Sequence, residues 1–154
     1  MSLYHQFEAL EATSLGDAIK NSLWLFPAIE AVHLLALAML GGAVLMLDLR
    51  LLGLGLTGQP ASTLERETRP WLIGALAVMV ITGSLLGVSE ALKLYDKRAF
   101  WVKMIALACA LVFTFAIKGP LARRDPGAVG KAAALVSLAL WLTVAIAGRW
   151  IGFS

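Results

Sequence analysis

Glu30 and His33 stand three residues apart in the apolar run LWLFPAIEAVHLLALAMLGGAVLML, residues 23 to 47. On a helix that spacing puts a carboxylate and an imidazole on one face. An imidazole can ligate a metal, and beside a carboxylate it can pass a proton. His33 lies nine residues from Trp24, about 14 Å along a helix axis, so it sits near mid-membrane if the run spans a bilayer. An ionisable side chain at that depth is by default a functional-site hypothesis.

The preferred reading of His33 is an axial ligand to haem b. Imidazole binds haem iron, helix bundles hold cofactors between facing helices, and an apolar slot accepts the faces of a porphyrin. Glu30 would orient His33 or relay protons, while Lys103 and Arg149 would face the propionates. A copper site or a proton relay is the alternative chemistry. The structural alternative is a neutral imidazole bonded to Glu30, to a carbonyl or to Ser84. The segment TGSLLGVSE sets Gly83, Gly87 and Glu90 in one stripe with Met79 above it. A small-xxx-small stripe gives either close helix packing or a flat groove in which a planar cofactor lies against backbone. Trp24, Trp101 and Trp150 gather on the same side, where an aromatic belt also explains them.

The chain has only two histidines. His5 precedes the apolar runs and does not reach the far face of a haem held by His33, so a bis-histidine site within one subunit is not expected. The sixth position is left empty, taken by Met79 or Met104, or supplied by another protomer. His5 serves a second, shallower cofactor or is an exposed interfacial residue. Met39 and Met46 point to copper or are gap-filling residues.

Four apolar runs must position these groups. The first has 25 residues, enough for a hydrocarbon core of about 30 Å. Its twelve Leu, Ile, Phe and Val residues favour insertion by roughly 4 to 7 kcal/mol, more than one central acid costs. The others cover about 71–92, 100–118 and 131–152. Short connections make neighbours antiparallel, which predicts an all-α, up-down-up-down four-helix bundle in one domain over residues 1–154. Residues 3–12 alternate Leu3, Phe7 and Leu10 with His5, Glu8 and Glu11, an amphipathic pattern for an interfacial helix. Ser14 is the expected N-cap of a second helical stretch that runs into the first span, with a kink at Pro27. Asp48 and Arg50 close the first span, GP at residues 119–120 ends the third, and RRDPG forms the connection after it. Threading the directions puts Glu30, Glu90, Lys103 and Arg149 in one leaflet.

Composition agrees: 60% of residues are hydrophobic and 15% charged, with a mean hydropathy of +0.82, the profile of an integral membrane protein. The net charge of +3 resides in the short connections, which reads as topology signal and lipid-headgroup contact and not as nucleic-acid binding. Lys and Arg number seven on the side of the first and third connections (Arg50, Arg66, Arg69, Lys118, Arg123, Arg124, Lys131) and six on the other (Lys20, Lys93, Lys97, Arg98, Lys103, Arg149). That difference favours termini outside the cytoplasm, periplasmic in a bacterial host. The amino terminus has acids before its first base and no h-region, so no signal peptide is expected. Cys109 is the single cysteine, and no P-loop, HExxH, haem-attachment CxxCH or nucleophile elbow occurs.

Through SLWLFPAIEAVHLLALAMLGG, DLRLLGL, AFWVKMIAL and AGRWIGF, the chain resembles a bacterial family of small four-helix inner-membrane proteins of unknown function, over nearly its whole length. FWVKMIAL also resembles the Lys-bearing helix of copper-resistance protein D membrane domains, and the plan is similar to four-helix cytochrome b proteins. The resemblance implies a membrane protein capable of forming homo-oligomers, with haem or copper chemistry and an unidentified redox partner. Carried over by position, it marks Glu30, His33, Asp48, Arg50, Lys103, Gly148, Arg149 and Trp150. The chain departs from the cytochrome b pattern in lacking a second intramembrane histidine. The expected function is electron transfer or haem-dependent redox sensing; the alternatives are copper or small-solute handling, and a structural oligomer whose buried charges set helix register.

Overall fold

The computed structural model describes residues 3–124 and 127–153. All regular structure among them is helical: α1 (Leu3–Glu11), α2 (Ser14–Asn21), α3 (Leu25–Leu52), α4 (Ala61–Ser89), α5 (Ala91–Asp96), α6 (Arg98–Val112), a π-helical segment (Phe113–Lys118), α7 (Gly119–Ala122) and α8 (Gly127–Ile151). Four rods, α3, α4, α6 through α7, and α8, are long and apolar enough to cross a membrane. The 28 residues of α3 extend about 42 Å, so its ends reach beyond a hydrocarbon core of about 30 Å into the headgroup layers.

Helix α3 packs against α4 and α8, and α6 packs against α8; α4 and α6 form the loosest edge. The centre is a layer of Leu40, Val44, Leu72, Ala75, Ala106, Ala110, Trp141 and Val144. On α8 the buried residues Gly130, Ala133, Ala134, Ser137, Trp141, Val144 and Ala147 recur every three or four positions, so one narrow face meets the bundle. Most bulky apolar side chains instead point outward, Leu35, Ile105 and Leu142 among them. That is the distribution a bilayer requires, because lipid tails solvate such residues as well as a protein core does.

Several boundaries differ from the sequence reading, each for a local reason. Thr13, not Ser14, caps α2, its hydroxyl accepting from the Gly16 amide at 3.2 Å. The chain then breaks instead of running into the first span: Ser22 is extended, and its hydroxyl accepts from the Leu25 amide at 3.2 Å. Pro27 is the third residue of α3, where the missing N–H has no intrahelical acceptor to lose, so no kink is needed. The second span begins ten residues before Trp71, at Ala61, because Ala61, Leu64, Glu65, Thr68 and Leu72 are buried on one face. The third span does not stop at Gly119 and Pro120. A π turn precedes them, with the Gly119 amide bonded to the Thr114 carbonyl, and the rod continues to Ala122. Arg50 lies in the last turn of α3, which ends at Leu52 before Gly53, whose φ of 75° is the left-handed conformation glycine adopts at a helix terminus. Part of the RRDPG connection, residues 125 and 126, lies outside the described residues.

Helices α1 and α2 flank one end of the bundle. Phe7 of α1 meets Tyr95, Phe100 and Trp101 with ring centroids 5.3, 6.4 and 6.4 Å apart. Glu11 clamps the join, accepting from the Leu92 amide at 2.9 Å and pairing with Lys20. Those two donors hold its carboxyl below the usual carboxylate range.

Candidate functional site

Two polar layers are set into the apolar rods, one near each end. His33 belongs to the layer on the side of the chain termini. Its Nδ1 lies 2.8 Å from the Thr82 hydroxyl, and that hydroxyl donates its hydrogen to the Val78 carbonyl at 2.7 Å. With the hydroxyl hydrogen committed, the oxygen accepts, so Nδ1 carries the ring proton and Nε2 holds a free lone pair. This is how metal-bound histidines are held, with the non-ligating N–H bonded to a second group. Gly83 gives the ring its place: a Cβ there would stand 3.2 Å from His33 Cε1. The partner that orients His33 is therefore Thr82 of α4, not Glu30, which points to the exposed surface one turn away.

Opposite, on α6, Lys103 is half-buried, its stem and ammonium 3.5 Å from where a Cβ on Gly148 of α8 would sit. No acceptor bonds it among the described residues. Around these groups α3, α6 and α8 bury little, while α4 keeps Thr82 and Ser89 buried and α2 keeps Ile19 buried at the same end. The first buried residue of α3 is Ala36, the first of α6 is Ala106, and the last of α8 is Ala147. Gly87 would leave an added Cβ only the Leu94 side chain as a neighbour, so the Gly83 and Gly87 stripe makes room and does not press two backbones together.

The remaining expected site residues lie apart from this pair. Glu90 bonds Lys93 at 2.7 Å where α4 gives way to α5, which raises the Lys93 pKa. Arg149 lays its guanidinium 4.5 Å over the Phe153 ring, a cation–π contact at the exposed end of α8. Glu30, Glu90, Lys103 and Arg149 thus share one end of the bundle without forming one ion-pair cluster. Trp24 and Trp150 are exposed; Trp101 donates to the Tyr95 carbonyl at 3.0 Å. Met79 packs on the central layer, Met104 is exposed, and His5 lies in α1 with its ring 3.3 Å from Glu8. No group of three or more His, Cys, Asp and Glu side chains gathers as a metal site among the described residues.

The second layer lies 15 residues further along α3, about 22 Å away. Lys118 donates to Asp48 at 2.9 Å and to Ser137 at 2.8 Å, and Ser137 donates to the other Asp48 oxygen at 2.8 Å. All three are at most 1% exposed. Thr114 accepts from the Trp141 indole at 3.1 Å, and toward the surface Arg123 grips Glu65 with two bonds of 2.9 Å. From sequence, Asp48 reads as a span terminator and Lys118 as a headgroup contact. The structure corrects both, since the π segment and its continuation keep Lys118 inside the bundle. No local spacing signals a pair 70 positions apart; the one hint is that a lysine directly before Gly-Pro closes an unbroken apolar run.

These features define a multi-pass helical membrane protein with two internal polar sites. The chain belongs to a family of unknown function (DUF6644), matched over residues 7–154. No curated protein and no solved structure matches it.

Proposed function

We propose that this protein binds haem b at the end of the bundle nearest its termini, where His33 Nε2 would hold the iron, and serves electron transfer or haem-dependent redox sensing. The observation that carries this is the committed Thr82 hydroxyl, which fixes the imidazole tautomer with its ligating nitrogen free. A porphyrin brings its own four equatorial donors, so a single protein ligand suffices, whereas a copper site needs a group of side-chain donors. Gly87, beside which an added Cβ would meet only the Leu94 side chain, supports room for a planar group there. Lys103, with its uncommitted ammonium, suits a propionate, and Arg149 would have to leave its contact with Phe153 to meet the other. The haem would supply one-electron chemistry; the chain orients the imidazole through Thr82 and excludes water with apolar rods.

The same reading places the protein in a bacterial inner membrane. Lys103 and Lys118 both lie inside the bundle, and without them the flanking bases number six against five, a balance that still favours periplasmic termini. The lipid-facing helix surfaces leave room for a homo-oligomer.

The test is an absorption spectrum of protein purified from haem-replete cells. A Soret band that His33→Ala abolishes, and that Thr82→Val shifts in position, is expected. A colourless preparation, or a Soret band indifferent to His33→Ala, overturns the assignment.

A further inference from the structure

The loop-side layer borders a partly open cavity of about 30 Å³ between α4 and the π segment, lined by Thr68, Arg69, Thr114, Lys118 and the Glu65–Arg123 pair with apolar neighbours. That volume admits two or three water-sized bodies. Its donors outnumber its acceptors. Lys118 has three N–H hydrogens and spends two on Asp48 and Ser137. The hydroxyls of Thr68, Thr82, Ser84 and Thr143 all donate to the carbonyl four residues earlier in their own helix. Thr114, at the π turn, instead accepts from the Trp141 indole, and among the described residues no acceptor takes its hydrogen. Thr114 and Lys118 are one turn apart, 6% and 1% exposed, and each brings an uncommitted donor to the cavity.

The charges match this excess. Asp48 neutralises Lys118 and Glu65 neutralises Arg123. Arg69, exposed at the mouth and in no ion pair among the described residues, leaves the lining together with Asp48 at a net charge of +1. A buried donor without an acceptor costs about 1 to 3 kcal/mol, and an acceptor-only body placed between two of them removes that cost.

We propose that this cavity is a binding site for a small monovalent anion of halide size, held by Lys118 Nζ and the Thr114 hydroxyl with Arg69 completing the charge. It is independent of any group at His33. A halide is a single acceptor atom of about water size, matched to a space of this volume. The binding step is association alone, with no bond made or broken.

The test uses full-length protein in detergent micelles, with thermal unfolding followed at constant ionic strength in sodium gluconate replaced stepwise by chloride or bromide. A saturable rise in the unfolding midpoint is expected in both halides. Thr114→Val should weaken the apparent halide affinity at least tenfold, Thr114→Ser should restore it, and Arg69→Gln should weaken it severalfold. Broadening of the chloride-35 NMR line by the wild type, lost in Thr114→Val, gives a readout independent of stability. Equal midpoints in gluconate and halide would mean that water alone fills the cavity. A halide effect undiminished in Thr114→Val would mean adventitious surface binding, and competition by inorganic phosphate or by added anionic lipid would assign the site to phosphate oxygens. Each of these overturns the proposal.

Discussion

Replacing Lys118 by Met removes one charge of a fully buried pair while keeping an unbranched apolar stem of similar volume. At the observed Nζ to Oδ1 distance of 2.9 Å, the Coulomb attraction is about 6 kcal/mol for an effective dielectric constant of 20, and desolvation of both ions opposes it. What the single variant measures is the cost of an Asp48 carboxylate left in the bundle with Ser137 as its only donor. Breaking a buried pair from one side costs about 3 to 5 kcal/mol. Ser137→Ala, which deletes one bond on each ion, should cost about 1 to 2 kcal/mol, at the lower end of charge-assisted bonds because partners are also found in the unfolded membrane state. The double variant Asp48→Val with Lys118→Met leaves no uncompensated charge and should recover at least half of the single-variant loss. Reversible unfolding in mixed micelles of rising dodecyl sulfate content, followed by tryptophan fluorescence, measures all three; Trp141 reports from next to the site. A Lys118→Met protein within about 0.5 kcal/mol of wild type, or a double variant no better than the worse single one, would refute the reasoning.

Gly83→Ala sets a methyl group 3.2 Å from His33 Cε1, so the ring should move by a few tenths of an ångström and its bond to Thr82 lengthen, seen as a displaced His33 imidazole resonance in NMR spectra. Pro27→Ala should leave stability within about 0.5 kcal/mol of wild type, since no helical hydrogen bond is gained or lost at the third residue of α3. The Glu11 pKa is depressed in the folded protein by Lys20 and the Leu92 amide, so its contribution is full above the ordinary carboxylate value and is lost as pH falls through the depressed one. The exchange protection factors of the α1 amides, which divide out the intrinsic pH dependence, should therefore fall on acidification in the wild type and change much less in Glu11→Gln.

The rods and the amphipathic α1 were legible because hydropathy and helical periodicity are local properties that survive in a bare sequence. His33 was legible as well, being a lone imidazole in an apolar run, and Gly83 came close, since its stripe signals room beside a neighbour. Thr82 was not. Its role rests on a contact 49 positions away and on a back-bond that any helical threonine can make. The start of α4 was missed for a different reason: residues 61–70 carry four charges, Glu65, Arg66, Glu67 and Arg69, which mask the buried face formed by Ala61, Leu64, Glu65 and Thr68. The extension of the third rod was hidden by Gly119 and Pro120, a dipeptide that ends most helices and here follows a turn wide enough to carry the chain past it.

That wide turn amounts to one surplus residue stored in the third rod, since each bond in it spans five positions in place of four. Excising a single residue of the π segment, Phe115 for example, would let the rod revert to ordinary winding and swing its two halves about 100° relative to each other. Lys118 would then swing off the axis toward the lipid, while Ala106 and Ala110 could stay seated. The bulge is therefore a phase shifter, reconciling a helix half whose inward face is set by alanines with another whose inward face is set by an ammonium group.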